Sequence, residues 1–472
     1  MEFPKLVSKI ARDRFRLDTL RHVHNTLPVL LASLCVLPSL ALRNGLDLVP
    51  PMGWSNWENS GCDINETYMK ASADALVSKG LAAAGYTVVE VDDCWAELDR
   101  NSSGYLVANA SRFPSGMGAL GKYLHGQGLK FGMYSSAGVH CCQHTMPGSL
   151  GYEWLDAQAF ASWGADFLKY DGCFMEEFAK VEQDAARRFP FAPPPILRYP
   201  IMAQALNRTG RNISYMCNFP WQFWGLEKDA AMGGRWVSES CNSWRVAGDP
   251  RPGFGQALGY VGSTEKYADD VPSGPGAWAT LDAMEIGNAG SFDHLPENEA
   301  AWSGGAGDAA PLSAWREAAD GGMSAAQEQA VFSLYAIVKT PLFIGADVTK
   351  LTGHSLQAYL NADAIAVHQD PLGAQGRRLA QQQQTQVWGC ALSGGRAAAV
   401  LLNSGGAVAP SISVSWAQLG LAVGATCTVY DVWKHAEVGS FAGSFEAKDV
   451  GGTSAVMVVV RNCTTDAGSG TQ

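Results

Sequence analysis

The 472-residue sequence predicts an α/β fold, a (β/α)8 barrel followed by an antiparallel β-sandwich domain. Two observations predict this architecture. Between residues 50 and 375, short apolar runs alternate with Ala/Leu-rich helical patterns, which is typical of a buried parallel sheet covered by helices. After residue 375, β-branched and aromatic runs follow one another with Gly/Ser/Ala turns between them, which is typical of antiparallel sheets.

Eight strands are predicted for the barrel, seven of them clear and one, near residues 281–286, weaker. The clear strands are residues 52–54, 86–93, 130–134, 167–171, 213–218, 244–249 and 341–345. The most regular helical patterns cover residues 68–84, 156–163 and 324–339. Polar or charged residues follow most of the strands, and the active sites of such barrels lie at the carboxyl ends of the strands.

The β domain and one insertion complete the predicted organisation. Strand-like runs in the β domain are residues 387–388, 397–402, 411–416, 426–433 and 455–460. Residues 293–322 are rich in Ala, Gly and Glu and too long for an ordinary connection, so we expect an inserted surface loop there.

The N-terminal residues 1–41 are predicted to be a signal peptide rather than part of the fold. The apolar segment 27–42 is shorter than the ~20 residues that a membrane span needs. Six basic residues precede it, and Ser39 and Ala41 supply small side chains for cleavage. An uncleaved signal anchor is the alternative. The predicted domains are therefore the signal peptide 1–41, the barrel 42–375 and the β domain 376–472.

The sequence also predicts passage through the secretory pathway, to the outside of the cell or to a lysosome or vacuole. Removal of Cys35 leaves ten of the eleven cysteines, an even number in an oxidising compartment. No other segment could span a bilayer, and the net charge of −11 argues against nucleic acid as a partner. Six Asn-X-Ser/Thr sequons are candidate glycosylation sites, namely Asn65, Asn101, Asn109, Asn207, Asn212 and Asn462.

Two carboxylates at strand ends predict the chemistry. Asp171 ends an apolar strand two residues after Lys169, and Asp249 ends a second strand-like run four residues after Arg245. An ionised Asp is costly to bury without partners, and two separate carboxylates with cations nearby are what glycosidic bond cleavage requires. The alternatives are a structural ion pair for Asp171 and a turn residue before Pro250 for Asp249.

No metal site is predicted. Asp92 and Asp93 could bind a divalent cation, but no further Asp/His cluster follows them in the sequence. Cys141 and Cys142 lie between His140 and His144, yet a disulfide and one spare thiol are the expected state in a secreted protein.

Six short motifs in order resemble glycoside hydrolase family 27, the α-galactosidases and α-N-acetylgalactosaminidases, from about residue 45 to residue 379. They are Pro51-Met52-Gly53-Trp54-Ser55-Asn56-Trp57, Val91-Asp92-Asp93-Cys94-Trp95, Tyr134-Ser135-Ser136-Ala137-Gly138, Lys169-Tyr170-Asp171-Gly172-Cys173, Trp244-Arg245 with Asp249, and Val367-His368-Gln369-Asp370-Pro371-Leu372-Gly373. The family fold, a catalytic barrel followed by an antiparallel β domain, agrees with the prediction made from the residues.

The resemblance implies a role for each site residue. Asp171 corresponds to the nucleophile and Asp249 to the general acid/base, while Lys169 and Arg245 bind substrate beside them. The pair Asp92 and Asp93 would bond the 4- and 6-hydroxyls of the sugar. Three further sugar contacts are implied, by stacking or hydrogen bonding: Trp54, Tyr134 and Asp282.

Two departures from the family pattern concern the pocket. Thr280 and Leu281 replace the first two residues of the family motif Asp-Pro-Asp, so the local loop geometry around Asp282 is open. At the 2-position of the sugar, Asn218 could bond a hydroxyl and Trp221 would crowd an acetamido group. The pair therefore favours galactose over N-acetylgalactosamine.

The resemblance also implies disulfides. It pairs Cys62 with Cys94 and Cys217 with Cys241, and it pairs Cys173 with Cys141 or Cys142, of which we expect Cys142. The pairing of the remaining cysteines stays open at this point; they are Cys141, Cys390, Cys427 and Cys463.

The expected function is that of a retaining, exo-acting α-galactosidase that works at acidic pH without cofactor or metal on an oligosaccharide, polysaccharide or glycoconjugate. The alternatives are an α-N-acetylgalactosaminidase, a β-L-arabinopyranosidase, against which the retention of Asp92 and Asp93 counts, and a catalytically silent galactose-binding protein. Intact Asp171 and Asp249 count against the silent protein. The natural aglycone does not follow from the sequence, and a homodimer is compatible with it.

Overall fold

The computed structural model describes residues 44–174, 195–218, 235–269, 271–288 and 322–465. The predicted signal peptide, Trp221 and all but the last residue of the predicted insertion 293–322 lie outside these residues. Within the described helices, none is long and apolar enough to cross a membrane.

Nine strands form one parallel sheet in the order β7-β6-β5-β4-β3-β2-β1-β9-β8. Along the chain they are β1 Met52–Ser55, β2 Val88–Glu90, β3 Lys130–Ser136, β4 Phe167–Asp171, β5 Ser214–Cys217, β6 Ser243–Arg245, β7 Trp278–Thr280, β8 Ala283–Met284 and β9 Leu342–Ile344. Strands β7 and β8 lie at opposite edges of this order, although only Leu281 and Asp282 separate them in sequence. They are two halves of one interrupted strand, and the sheet closes through them into the predicted eight-stranded barrel.

The interruption between β7 and β8 is stabilised by threonine hydroxyls. Asp282 has a φ of 66°, a left-handed conformation that breaks the strand. The N–H of Leu281 donates to Oγ1 of Thr340 at 2.9 Å, and the N–H of Asp282 donates to Oγ1 of Thr280 at 3.0 Å. Buried N–H groups that leave the ladder are therefore still paired. The break explains why the sequence signal for this strand is weak.

Ten described α-helices accompany the strands. They are α1 Trp57–Ser60, α2 Glu66–Ser78, α3 Met117–Gly126, α4 Glu153–Trp163, α5 Pro195–Arg208, α6 Arg235–Ser240, α7 Phe254–Tyr267, α8 Ala325–Ile337, α9 Gly353–Tyr359 and α10 Ala362–His368. Helix α8 begins with a capping box between Ser324 and Gln327, and nearly all of its side chains after the first turn are buried. It is buried because it packs against the barrel on one side and against the β domain on the other.

The C-terminal region forms two antiparallel sheets, a six-stranded one in the order β10-β11-β12-β17-β14-β15 and a pair β13-β16. Its strands are β10 Arg377–Gln382, β11 Thr385–Leu392, β12 Arg396–Asn403, β13 Ala409–Ser415, β14 Thr426–Asp431, β15 Ala436–Ala442, β16 Ser444–Val450 and β17 Ser454–Thr464. The antiparallel β-sandwich is confirmed. Strands β10, β15 and β16 were not predicted, because much of their surface is exposed and they lack a β-branched run.

A buried carboxylate joins the barrel motif at residues 367–373 to the β domain. Asp370 accepts hydrogen bonds from the N–H and the hydroxyl of Ser393, both at 2.8 Å, and from Nη2 of Arg396 at 2.9 Å. On the other side of the junction, Nε1 of Trp433 donates to the hydroxyl of Ser333 in α8 at 2.8 Å. The domain boundary near residue 375 stays a prediction.

Candidate active site

The predicted site residues in the described part of the chain gather at the carboxyl ends of the barrel strands. The parallel register explains why. Tyr134 of β3 lies opposite Lys169 of β4, and Ser136 lies opposite Asp171, so side chains from neighbouring strands meet at one end of the barrel. Asn218 directly follows β5, and Arg245 is the last residue of β6.

Asp171 is held by three hydrogen-bond donors. Its Oδ2 accepts from the hydroxyl of Tyr134 and from Nδ2 of Asn218, each at 2.9 Å. Its Oδ1 accepts from the N–H of Gly172 at 2.7 Å. Burial raises the pKa of Asp171 above its usual value, while the charges of Lys169 and Arg245 oppose this rise. The carboxylate is thus fixed in its orientation and is accompanied by positive charge.

Lys169 is a buried cation between two carboxylates. Its Nζ lies 2.9 Å from Oδ2 of Asp92 and 3.4 Å from the carboxylate of Asp282. Burial alone would lower the pKa of Lys169, but these carboxylates raise it well above its usual value. The ammonium group therefore keeps its charge inside the barrel.

Arg245 connects the interrupted strand to the predicted acid/base. Its Nη1 lies 3.0 Å from Oδ2 of Asp282, and its Nη2 lies 2.6 Å from Oδ1 of Asp249. Burial raises the pKa of Asp282, but Lys169 and Arg245 outweigh burial and keep that pKa below its usual value. The side chain of Asp249 is 44% exposed, so solvent reaches it.

Asp93 is fixed by two backbone donors. Its Oδ1 accepts from the N–H of Cys94 at 2.6 Å, and its Oδ2 accepts from the N–H of Gln143 at 2.8 Å. Burial nevertheless raises the pKa of Asp93 to about 7. Its neighbour Asp92 faces Lys169, so the adjacent carboxylates occupy different electrostatic surroundings.

Trp54 is fully buried, and its Nε1 donates to the carbonyl of Ala346 at 2.9 Å. It lies one residue before the end of β1, and its ring packs 5.9 Å from that of Tyr68, so the sugar contact that the family pattern implies stays a prediction. Trp221, the other predicted aromatic contact, lies outside the described residues.

The sequence profile described as "Alpha galactosidase A" matches residues 49–314, and the profile described as "Alpha galactosidase C-terminal beta sandwich domain" matches residues 382–460. The chain belongs to glycoside hydrolase family 27, the α-galactosidases. The resemblance and the enzyme class predicted from the sequence are confirmed.

Individual members of the family resemble the chain over most of their length. The α-galactosidase of Coffea arabica is 39% identical over 407 residues, which cover 86% of this chain and 92% of the plant enzyme. The crystal structure of α-galactosidase I from Mortierella vinacea is similar with a TM-score of 0.70 and 28% identity, over 90% of this chain and 99% of that one. An α-galactosidase structure from Saccharomyces cerevisiae with raffinose gives a TM-score of 0.69 and 25% identity, over 90% of this chain and all of that one.

Three buried glutamates near the α-galactosidase site were not singled out from the sequence. Glu58, Glu90 and Glu285 are at most 6% exposed, and each has a carboxylate oxygen without a hydrogen-bond partner among the described residues. Burial raises the pKa of all three, that of Glu285 to about 8. Glu90 could have been found, since it interrupts the apolar run of β2 two residues before Asp92. Glu58 and Glu285 directly follow motif residues, and neither of them interrupts an apolar run that would have singled it out.

The structure contains four disulfides in its described part. Three join the pairs that the family pattern implies, Cys62–Cys94, Cys142–Cys173 and Cys217–Cys241. The fourth, Cys427–Cys463, answers the question that the sequence left open, and Cys141 and Cys390 are buried free thiols.

The described residues bring one set of three metal-ligand types together, Cys142, Asp171 and Cys173, within 4.8 Å of one another. Two of these atoms are the sulfurs of a disulfide, which is not a ligand pair for a metal ion. The set therefore does not argue for a metal centre.

Five of the six sequon asparagines are exposed: Asn65, Asn101, Asn207, Asn212 and Asn462. The sixth, Asn109, is half-buried, and its Oδ1 accepts from the N–H groups of Ser111 and Arg112 at 3.1 Å. Glycosylation of these sites stays a prediction, and Asn109 is the least suited of the six.

Proposed function

We propose that this α-galactosidase is a retaining, exo-acting enzyme that releases terminal α-D-galactose through a covalent galactosyl-enzyme intermediate. The observation that carries the proposal is the contrast between its two carboxylates. Asp171 is oriented by three donors, as a nucleophile must be, whereas Asp249 is half-exposed beside Arg245, as a group that exchanges protons with water must be.

In the first step, the carboxylate of Asp171 attacks the anomeric carbon and the bond from that carbon to the leaving oxygen breaks. Asp249, in its protonated form, gives its proton to the leaving oxygen. Arg245 then lies beside the newly formed carboxylate of Asp249 and stabilises it. The aglycone departs as an alcohol, and galactose remains bonded to Asp171.

In the second step, the carboxylate of Asp249 takes a proton from water, and the resulting hydroxide attacks the anomeric carbon. The bond to Asp171 breaks, and Asp171 recovers its charge. The donors from Tyr134, Asn218 and Gly172 stabilise this leaving carboxylate, which lowers the barrier for deglycosylation.

The polar floor of the pocket is proposed to bind the sugar hydroxyls. Asp92, Asp93 and Asp282 present carboxyl groups at the barrel end, and Lys169 presents an ammonium donor, a set that suits a polyhydroxylated ring. The relative from Saccharomyces cerevisiae was crystallised with raffinose, which supports an oligosaccharide with terminal α-galactose as the substrate class. Asn218 is proposed to read the 2-hydroxyl through its second amide atom, and the proposed role of Trp221 is to exclude an acetamido group there.

We also propose that the enzyme matures in the secretory pathway and works outside the cell or in a lysosome or vacuole. Four disulfides, which form in oxidising compartments, support this location, as do the five exposed sequons. A homodimer stays a prediction, which light scattering on the purified protein would test.

The decisive experiment measures nitrophenol release at about pH 5 from the nitrophenyl α-galactoside and from the α-N-acetylgalactosaminide. Hydrolysis of the first alone supports the proposed specificity, and hydrolysis of the second would favour the N-acetylgalactosaminidase alternative. Proton NMR of the first product then tests the mechanism, because a retaining enzyme releases α-galactose before mutarotation. Initial release of the β-anomer would contradict the proposed intermediate.

A further inference from the structure

Glu90 is a buried acid beneath the floor of the proposed pocket, and the mechanism above does not use it. Along β2, Val88, Glu90 and Asp92 alternate with their neighbours and therefore face the same side of the sheet. Val88 belongs to a cluster of buried apolar side chains drawn from several barrel strands. Glu90 thus occupies the layer between that apolar cluster and the carboxyl group of Asp92.

The neighbouring strand leaves room for the Glu90 side chain. Glu90 lies opposite Gly132 of β3, and a Cβ on Gly132 would lie 3.0 Å from the Cα and 3.3 Å from the Cβ of Glu90. A side chain at residue 132 would therefore crowd the glutamate. Glu90 is 1% exposed, and its carboxyl group lies within hydrogen-bonding distance of that of Asp92. The two carboxyl groups form a pair that is closed off from solvent.

The pair holds one proton. Two carboxyl groups are hydrogen-bonded to each other only if one of them is protonated, because an ionised carboxylate is an acceptor alone. Oδ1 of Asp92 accepts from the N–H of Asp93 at 2.7 Å, and its Oδ2 accepts from Nζ of Lys169 at 2.9 Å. In contrast, Oε1 of Glu90 has no hydrogen-bond partner among the described residues. Asp92 is therefore the ionised member, and the proton belongs on Glu90.

The buried cations lead to the same assignment. Lys169 is paired with Asp92 and Asp282, and Arg245 is paired with Asp282 and with the predicted acid/base. The ion pairs of these two cations in the described part of the chain thus do not include Glu90. Burial and the charges of Asp92 and Asp282 raise the pKa of Glu90 well above its usual value, although Lys169 opposes this rise. An ionised Glu90 would be buried without compensation.

We propose that Glu90 is a positioning residue of the galactose site: as a neutral acid it donates its O–H to Asp92 and fixes the carboxylate that meets the sugar hydroxyls. The inference rests on the proposed function, which places Asp92 against the sugar. With donors from Glu90, Lys169 and the N–H of Asp93, the carboxylate of Asp92 cannot rotate without breaking a hydrogen bond. This orientation is set before the substrate arrives, so its loss should weaken sugar binding.

A cation site is the competing role for a group of buried acids. Within the described ranges, however, the one set of metal-ligand side chains that converges consists of Cys142, Asp171 and Cys173. None of the acids beneath the pocket floor belongs to that set. The positive charge at the pocket floor is already supplied by the ammonium group of Lys169.

The test compares two substitutions of Glu90 that differ in one property. Glu90→Gln keeps the length of the side chain and an N–H donor for Asp92, whereas Glu90→Met keeps the length but has no donor. The control is Glu153→Met, which changes a buried glutamate of α4 outside the proposed site. For each protein, circular dichroism checks the fold. Hydrolysis of nitrophenyl α-galactoside then gives KM and kcat, and product inhibition gives the inhibition constant of galactose.

We expect Glu90→Met to raise KM and the inhibition constant of galactose together by about three- to tenfold, because a hydrogen bond to a charged group is lost. Its kcat should stay within about threefold. Glu90→Gln and Glu153→Met should stay within about twofold of the unaltered enzyme in all three quantities. If Glu90→Gln weakened binding as much as Glu90→Met does, or if neither weakened it, the proposal would be overturned.

Infrared difference spectroscopy tests the proton itself and does not depend on activity. At about pH 7, where free carboxyl groups are ionised, the spectrum of the unaltered enzyme minus that of Glu90→Gln should contain the C=O stretching band of a protonated carboxyl group. The absence of that band would overturn the proposal. If the unaltered enzyme hydrolysed no α-galactoside, the proposed function would fail and the positioning role with it, and the infrared band would still show the protonated pair.

Discussion

Nδ2 of Asn218 donates a hydrogen bond of 2.9 Å to Oδ2 of Asp171, the same oxygen that accepts the hydroxyl of Tyr134. The other amide atom of Asn218, Oδ1, is buried without a partner among the described residues. A single side chain can therefore orient the nucleophile and still accept a hydrogen bond from substrate. This arrangement makes the role of Asn218 broader than the hydroxyl contact expected from the sequence.

Substitution Asn218→Ala should lower kcat about 10- to 100-fold, because a hydrogen bond to a charged group contributes about 1.5–3 kcal/mol. The measurement is steady-state hydrolysis of nitrophenyl α-galactoside, with the melting temperature as a check on folding. Tyr134→Phe removes the second donor to the same oxygen and should act similarly. An unchanged kcat in both variants would remove the orienting role.

Substitution Asp171→Asn should reduce turnover by about 10⁴-fold and leave the fold intact, because the amide cannot form the glycosyl bond. Circular dichroism checks the fold. The stronger test is Asp171→Gly with added azide, which can enter the space of the missing carboxylate. The product should then be β-galactosyl azide, and normal turnover by Asp171→Asn would contradict the assignment.

Substitution Lys169→Met should destabilise the protein by about 3–5 kcal/mol, because it leaves the buried carboxylate of Asp92 without its cation. Urea unfolding measures the change. The control is Lys70→Met, which removes a partly exposed ion pair with Glu66 and should cost less than about 1 kcal/mol. If the two substitutions lowered the unfolding free energy equally, Lys169 would not be balancing a buried charge.

Stability should fall as pH rises from about 5 to 8. The folded protein keeps Asp93 protonated up to a pKa of about 7 and Glu285 up to about 8, whereas both are ionised in the unfolded chain above about pH 5. The folded state thus binds more protons in this window, and its stability decreases with pH. Burial lowers the pKa of His368 to about 3, so this residue makes the stability rise with pH below pH 6.5. It is a single group, whereas several buried carboxyl groups act in the other direction.

Scanning calorimetry at pH 5 and pH 8 tests this dependence, and we expect a melting temperature lower by at least ~3 °C at pH 8. Glu285→Gln removes one titrating group and preserves an acceptor for Asn288, so its pH dependence should be shallower. A melting temperature that rises toward pH 8 would show that the buried carboxyls ionise without cost.

Substitution Gly138→Ala should disturb the site, although Gly138 is not itself one of the proposed site residues. The added Cβ would lie 1.9 Å from the carbonyl oxygen of Cys173 and 2.6 Å from that of Phe174, so the loop after Asp171 must move. We expect a loss of at least ~2 kcal/mol in unfolding free energy and a reduced kcat. Gly259→Ala, at a helix position with open space, should be neutral or stabilising.

The sequence predicted the parts of the fold in which pattern and burial coincide. All seven clear barrel strands lie where apolar runs stand between turn residues, because strands buried on both faces need continuous apolar side chains. The broken strand around Asp282 and the exposed strands β10, β15 and β16 do not meet that condition. A strand break whose N–H groups bond to threonine hydroxyls shows no run of apolar residues in the sequence. The same is true of a strand whose side chains are mostly exposed.

The same distinction holds in the site. Asp92, Lys169 and Asp171 could be placed together because parallel strands end at one side of the barrel. The hydrogen bond from Asn218 to Asp171 and the burial of Glu58 depend on side-chain directions across elements distant in sequence. Those directions follow from packing, which a single sequence does not specify.

Asp282 contributes both to the closure of the sheet into a barrel and to the charge balance of the pocket, so neither can be changed without the other. The residue that turns the backbone out of β7 also supplies the carboxylate shared by Lys169 and Arg245. A library that varies this segment to change sugar preference would therefore risk losing the barrel itself. Substitutions aimed at new substrates are better placed on exposed positions such as His144, which takes no part in closing the barrel.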